Sequence, residues 1–167
     1  IETGKLEVVD YNFFRTPKDL ARRAVQLLDL PADDCLILEP SAGEGDLIRE
    51  IPAGYRVECY EIHPERNALL QKHFASLTRF VVGFDFLQVM PEVKYDRVLM
   101  NPPFADNQDI THVRHAWDFL KPGGILVAFV GEHSFIAQER KCVAFQAWLT
   151  KVKAKTWELE SAAFHES

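Results

Sequence analysis

The sequence "CLILEPSAGEG" at residues 35–45 joins an apolar run to a glycine-rich turn. The run is short and ends in the carboxylate of Glu39, which is typical of a strand covered on both faces of a sheet. The turn contains Gly43 and Gly45 and leads into "DLIREI" at 46–51, which has a helical pattern. A buried strand followed by a turn and a helix indicates a parallel sheet, and therefore the α/β class.

The same alternation continues along the chain. Thr16 is predicted to cap a helix whose first residue is Pro17. Further strands are predicted at 56–61, 79–83, 95–100, 123–131 and 155–161, with helices at 64–74 and around 110–120 and 145–152. Strands separated by helices pair in parallel, so we predict a doubly wound, mostly parallel open sheet with helices on both faces. Such sheets bind ligands beyond the carboxyl ends of their strands.

Length and composition limit the classes of protein to which the chain can belong. A chain of 167 residues, 47% hydrophobic and 26% charged, suits one domain over residues 1–167 with a single core. Its formal net charge of -6 is not the basic footprint of a nucleic-acid-binding domain, so a polyanion has to be held by a local patch or another segment. Cys35, Cys59 and Cys142 lack CxxC spacing and are predicted to be reduced core residues.

Neither a membrane segment nor a metal site is predicted. No apolar run approaches the roughly 20 residues of a membrane span. The histidines, including His112 and His115 on one predicted helix, show no complete metal-ligand spacing. We therefore expect a cytoplasmic protein without a metal.

Polar side chains follow four successive strands at the edge where a ligand is expected. They are Glu39, Glu61, Asp85 and Asn101. Acids and amides also terminate ordinary strands, so the prediction of a site depends on the four occurring together. The turn after Glu39 is not the GxGxxG dinucleotide fingerprint, because Ile48 stands where the third glycine belongs, and this disfavours a nicotinamide cofactor.

The strand ends suggest the parts of a ligand. Glu39 is placed to hold the glycine turn or to meet an amino group. Glu61 can accept both hydroxyls of a ribose, as an acid does in nucleotide-binding folds. Asp85 can accept from the exocyclic amine of an adenine, with Ile62 and Phe86 as apolar walls. The implied ligand has an amino-acid-like head, a ribose and an adenine.

Five segments in this order carry a family resemblance: "FFRTP" (13–17), "LEPSAGEG" (38–45), "YEIHPE" (60–65), "GFDFL" (83–87) and "NPPF" (101–104). Over nearly the whole chain they resemble the class I S-adenosylmethionine-dependent methyltransferases, and among these the DNA adenine-N6 methyltransferases, such as those of restriction–modification systems. The resemblance implies S-adenosylmethionine as cofactor. It places five residues near the methionine part of that cofactor: Phe14, Thr16, Pro17, Gly43 and Gly45.

The "NPPF" segment suggests the chemistry. The Asn101 side-chain oxygen and the Pro102 carbonyl can accept from the hydrogens of an amino group, which makes its nitrogen more tetrahedral and a better nucleophile. The prolines stiffen this segment. Phe104 offers a stacking face for a base extruded from the double helix, with Pro103 beside it. The resemblance also implies Phe164 as a second aromatic wall, although a core position is an equal reading.

Several expectations remain open at the level of sequence. DNA is the leading partner, and RNA guanine-N2 or adenine-N6 and a protein glutamine are alternative acceptors. A non-catalytic subunit of the same fold is a third reading. Residues 155–161 are expected to begin a terminal antiparallel hairpin whose last strand is missing. The chain is therefore expected to be a fragment that depends on a separate recognition domain or partner subunit for its target.

Overall fold

The computed structural model describes residues 15–159. They contain five strands and five α-helices, and short 3-10 turns, Ile48–Glu50 and Phe86–Gln88, take the place of a helix after the first and the third strand. The strands are β1 (Leu36–Glu39), β2 (Arg56–Tyr60), β3 (Arg79–Val82), β4 (Tyr95–Met100) and β5 (Leu120–Ala128). The helices are α1 (Lys18–Leu27), α2 (Pro64–Phe74), α3 (Gln108–Trp117), α4 (His133–Ile136) and α5 (Arg140–Lys151).

All the strands pair in parallel, in the order β3-β2-β1-β4-β5. The chain moves outward from β1 to β3 and then crosses to β4 on the other side of β1. Strand order therefore reverses between β1 and β4, and a doubly wound sheet opens a crevice at such a point. The predicted α/β fold with an open parallel sheet is confirmed.

Helices cover both faces of the sheet. Alternate residues of β1 point to opposite sides, so Ile37 packs with Ala21, Ala24 and Leu70 of α1 and α2. On the other face, Leu36 and Leu38 belong to a second cluster formed with α3 and α5; its helical members include Ile110, Val113, Ala116, Cys142 and Phe145. All four residues of β1 are buried, as expected for a central strand.

Three predicted elements differ from the structure. Residues 46–51 form only a short 3-10 turn, Ile48–Glu50. Strand β5 begins at Leu120, earlier than predicted, because Leu120 pairs with Tyr95 and a register shift carries the Pro-Gly-Gly segment inside the strand. Residues 155–159 form no strand, and the rest of the predicted sixth strand lies outside the described residues.

The start of α1 also differs from the prediction. The residue before its first turn is Pro17, and no side chain in the described part of the chain caps the helix. Thr16 instead uses its hydroxyl to contact Asn101.

Cys35, Cys59 and Cys142 are free and buried, as predicted. Within residues 15–159, no helix has the length and apolar character required to cross a membrane.

Candidate functional site

A cavity of about 420 Å³ lies at the carboxyl edge of the sheet, beside the reversal in strand order. This volume falls in the range of small-molecule sites. Nine of the predicted site residues line the cavity: Thr16, Glu39, Gly43, Glu61, Ile62, Asp85, Phe86, Asn101 and Pro103. The structure thus brings together residues from the ends of β1, β2, β3 and β4.

Glu61 connects the end of β2 to the glycine turn after β1. Its Oε2 accepts from the Gly43 N–H at 2.8 Å, and its Oε1 accepts from the His63 N–H at 2.8 Å. Arg66 Nε lies 3.4 Å from the same Oε1. Gly43 has a φ of 58°, which a glycine adopts without strain. A carboxylate has about four acceptor positions, so Glu61 retains capacity for the predicted ribose contact.

Gly45 has a packing role and does not line the cavity. A Cβ built on Gly45 would lie 2.5 Å from Phe74 Cε2 and 3.2 Å from Leu70 Cδ2. Its φ of 89° also favours glycine. The absent side chain lets α2 approach the turn, while the contact of Gly45 with a cofactor stays a prediction.

Glu39 is almost completely buried at the end of β1, with 1% of its surface exposed. Its Oε1 accepts from the Ser41 N–H at 2.8 Å. Burial raises the pKa of Glu39 to about 8; the Ser41 N–H opposes this rise, and the neighbouring Glu61 carboxylate adds to it. Glu39 therefore supplies an acid that a positively charged ligand would favour in its ionised form.

The segment before α1 is tied to the glycine turn by ion pairs. Arg15 donates to both carboxylate oxygens of Asp46 at 2.8 and 2.7 Å and to Glu44 at 2.6 Å. The Thr16 N–H also donates to Asp46, at 2.9 Å. Burial alone would raise the pKa of Asp46, but the hydrogen bonds from Arg15 and Thr16 outweigh it and lower that pKa. The sequence shows Arg15 within "FFRTP" but does not show that Asp46 is its partner, and this ion pair was therefore not predicted.

Asn101 is oriented by a residue 85 positions earlier in the chain. Its Nδ2 donates to Thr16 Oγ1 at 2.8 Å. Its Oδ1 is buried and has no hydrogen-bond partner among the described residues. An unsatisfied buried acceptor costs about 1–3 kcal/mol, so such an atom at a cavity wall indicates a missing donor.

The remaining residues of the predicted site lie away from the cavity lining or outside the described chain. Pro17, Pro102 and Phe104 do not line the cavity. Phe104 is half-buried beside Gly131, where an added Cβ would be 3.5 Å from Phe104 Cβ. Phe14 and Phe164 lie outside the described residues. The stacking roles of Phe104 and Phe164 therefore stay predictions.

Asp109 links the loop after β5 to the helix that follows "NPPF". It is 1% exposed, and its Oδ2 accepts from the Gly131 N–H at 2.9 Å and from Ser134 Oγ at 3.2 Å. Its Oδ1 is 2.9 Å from the Ile110 N–H. Sequence reasoning missed this buried carboxylate, although an acid in the first turn of a helix beside a strand end is a usable signal.

The wall formed by Asp85, Ile62 and Phe86 combines a carboxylate with apolar surface. Asp85 Oδ1 accepts from the Leu87 N–H at 3.0 Å. Ile62 is 65% exposed, whereas Phe86 is buried and its ring lies 5.3 Å from that of Tyr60. Two residues of α3 that were not predicted also line the cavity, Gln108 and His112. Their spacing of four on a helix that follows "NPPF" was the available signal.

Acidic groups predominate in the lining. Glu39, Asp46, Glu61 and Asp85 contribute carboxyl groups, and Arg66 is the one arginine or lysine among the lining residues. A cavity of this composition suits a ligand that carries positive charge.

Two other features lie apart from this cavity. A second cavity of about 460 Å³ is formed between α3 and α5, and it is lined by none of the predicted site residues that the structure describes. Donor atoms of His133, Glu139 and Cys142 lie within 4.8 Å of one another, a metal-ligand arrangement that the sequence did not reveal. His133 and Glu139 already form a 3.0 Å ion pair at the surface when the imidazole is protonated.

Comparison with known proteins identifies the fold. No family model matches the chain, and no curated protein matches it in sequence. Among solved structures, a candidate RNA methyltransferase from Pyrococcus horikoshii matches with a TM-score of 0.62 and 19% identity, over 84% of this chain and 72% of that one. A SAM-dependent O-methyltransferase from Thermotoga maritima matches with a TM-score of 0.62 and 17% identity, over 92% and 58%. The chain has the Rossmann-like fold of class I methyltransferases.

A third match is the 23S rRNA methyltransferase ErmE, with a TM-score of 0.55 and 25% identity over 74% of this chain and 50% of that one. The chain therefore spans about half the length of ErmE and somewhat more of the other two structures. Similarity at this level establishes the class I methyltransferase fold.

Proposed function

We propose that the domain transfers a methyl group from S-adenosylmethionine to the exocyclic N6 amine of an adenine, in DNA. The observation that carries the proposal is the buried Oδ1 of Asn101, which has no donor among residues 15–159, while Thr16 fixes the amide. An amino group entering the cavity supplies that donor. The class I methyltransferase fold and the cavity at its strand ends support the same reaction.

The residues at the cavity fit the proposed cofactor. S-adenosylmethionine supplies a methyl group activated by a positively charged sulfonium. Burial holds the pKa of Glu39 at about 8, and a sulfonium cation in the cavity would favour its ionised form. Gly43, with its φ of 58°, offers backbone without a side chain at the wall. Asp85 and Ile62 offer a carboxylate and an apolar surface for an adenine, and Glu61 a carboxylate for a ribose.

Asn101 activates the acceptor by geometry. The lone pair of an adenine amine is delocalised into the ring, so the free amine is a weak nucleophile. Acceptance of its hydrogens by Asn101 Oδ1 and the Pro102 carbonyl favours a tetrahedral nitrogen whose lone pair points at the methyl group. As the nitrogen bonds the methyl carbon, the carbon–sulfur bond would break and S-adenosylhomocysteine would leave; the cationic amine would then release its proton to water, so the transfer step needs no general base. Positioning supplies most of the rate enhancement in this scheme.

The extruded base is proposed to stack on Phe104, with Pro103 at the cavity wall. Stacking on an aromatic ring is worth about 1–3 kcal/mol and offsets much of the cost of base flipping, which is a few kcal/mol. The domain has a formal charge of -6, so we infer that a separate recognition domain or partner subunit supplies most contacts with phosphates.

RNA is the second candidate substrate. It is favoured by the similarity to ErmE, whose name describes a 23S rRNA methyltransferase, and to the candidate RNA methyltransferase of Pyrococcus horikoshii. The same Asn101 geometry serves any planar amine. Whether DNA or RNA is methylated therefore depends on which of them can reach the cavity. A cytoplasmic location is part of the proposal.

Transfer of labelled methyl to DNA, RNA and protein, followed by digestion to nucleosides or amino acids, tests the proposal. We expect N6-methyladenosine in its deoxy form as the labelled product. Asn101→Ala should abolish transfer, while Asn101→Asp, which keeps an acceptor oxygen, should retain part of it. Both variants should keep the affinity for S-adenosylhomocysteine measured by calorimetry. Label in protein or in a different nucleoside would refute the assignment, and loss of cofactor binding by Asn101→Ala would refute its role toward the substrate.

A further inference from the structure

Helix α3 carries two histidines, His112 and His115, whose hydrogen bonds differ, and the first of them lines the cavity. His112 lines the cavity together with Gln108, one turn earlier on the same helix. Asp85 and Leu87 line the same cavity from the loop after β3. His115 lies one turn further along α3 and contacts that loop from behind.

His115 is a structural anchor. Its Nε2 lies 3.2 Å from the Phe86 carbonyl and 3.0 Å from the Val89 carbonyl, so this nitrogen carries a proton and donates. Its ring packs on Phe86, with centroids 5.0 Å apart. The loop that carries Asp85 is therefore held against α3.

His112 has the opposite tautomer. Its Nδ1 lies 2.8 Å from the Gln108 carbonyl, which only accepts, so Nδ1 carries the proton. Nε2 is then an acceptor, and it has no hydrogen-bond partner among the described residues. Burial lowers the pKa of His112, which keeps the ring neutral at neutral pH. The neutral ring presents a single acceptor at the cavity wall.

Asp85 presents a second acceptor at the same cavity, and its charge acts on the His112 ring. Its Oδ1 is engaged by the Leu87 N–H, which leaves Oδ2 for a ligand. The complement of two acceptors is a nitrogen with two hydrogens. Building on the function proposed above, we propose that His112 Nε2 and Asp85 together accept the two hydrogens of the cofactor's adenine amino group. His112 is then a specificity-determining residue that distinguishes an adenine from a purine with a carbonyl at the same position.

Calorimetry with S-adenosylhomocysteine and S-inosylhomocysteine tests this inference, because the second compound replaces the amino group with a carbonyl oxygen. We expect the unaltered protein to prefer the adenosyl compound. His112→Phe keeps a ring but removes the acceptor, and should weaken adenosyl binding about tenfold, the equivalent of one hydrogen bond, while leaving inosyl binding nearly unchanged. His112→Gln keeps an acceptor and should retain part of the preference. His73→Phe, at an exposed position on α2, is the control.

The possible outcomes distinguish a failure of the proposed role of His112 from a failure of the proposed cofactor. Equal losses for both compounds, or an undiminished preference in His112→Phe, would overturn the role of His112, since a purely structural residue does not change the ratio of the two affinities. An intact ratio with a raised KM for nucleic acid would overturn it by placing His112 on the substrate side. If the unaltered protein binds neither compound, the proposed cofactor is wrong and the role of His112 falls with it.

Discussion

Replacement of Glu39 by glutamine is expected to change how stability depends on pH. The carboxyl has an ordinary pKa of 4.5 and a pKa of about 8 in the folded protein, chiefly because it is buried. Between these values the folded state keeps a proton that the unfolded chain releases. The stability that this proton contributes is complete below pH 4.5 and is lost as the pH rises toward 8.

The magnitude follows from the size of the window. Each pH unit inside it changes the free energy of unfolding by up to about 1.4 kcal/mol, so about 2 to 3 kcal/mol is lost between pH 5.5 and 7.5. Glutamine is neutral at both values and retains an acceptor for the Ser41 N–H. As the pH rises from 5.5 to 7.5, the free energy of unfolding of Glu39→Gln should therefore increase by about 2 to 3 kcal/mol relative to that of the unaltered protein.

Urea denaturation followed by tryptophan fluorescence at the two pH values measures the difference. Glu92→Gln, at an exposed loop position, removes the same charge and should show no comparable gain. Parallel pH dependence in Glu39→Gln and the unaltered protein would refute the reasoning, because it would mean that Glu39 is already ionised when buried.

Three further substitutions test other parts of the site. Asp85→Ala should weaken S-adenosylhomocysteine binding about tenfold in calorimetry, and unchanged affinity would remove Asp85 from the adenine contact. Gly45→Ala should lower the free energy of unfolding in urea by about 2 kcal/mol or more, because its Cβ would meet Phe74. Gly54→Ala, with a φ of 98° and open space around it, should cost less, and equal losses would remove Phe74 as the cause. Asp109→Asn should cost about 2 kcal/mol in the same assay, because an amide has one acceptor oxygen, and its NH2 group would face either the Ile110 N–H or the donors of Gly131 and Ser134; a loss no larger than that of exposed Asp118→Asn would contradict this.

The sheet and the positions of the strand ends could be predicted from sequence, because a buried parallel strand appears as a run of consecutive apolar residues. "LILE" and "YDRVLM" each became a strand, and the polar residues after them met at one cavity. Helix and strand boundaries were predicted less well where a local sequence pattern is compatible with two structural roles. Thr16 resembles a helix cap, but its hydroxyl is used by a residue that only the fold brings near.

Contacts between distant segments account for what the sequence did not reveal. The pairing of Arg15 with Asp46 and that of Asp109 with Gly131 join segments that only the fold brings together. The raised pKa of Glu39 depends on complete burial, which a strand end does not by itself imply. In contrast, the place of Asn101 at the edge of the sheet could be predicted, because it directly follows β4 in the sequence.

The contact between Thr16 and Asn101 makes the orientation of this amide dependent on the residues that precede α1. Arg15 and Thr16 hold this entry segment to the turn after β1, and the same Thr16 sets the rotation of the amide after β4. A domain whose entry segment has come loose would keep its sheet and most of its cavity wall, yet present Asn101 without a defined acceptor. Docking of this segment would therefore distinguish a domain that binds its ligand without reacting from a domain in which Asn101 is oriented for the reaction.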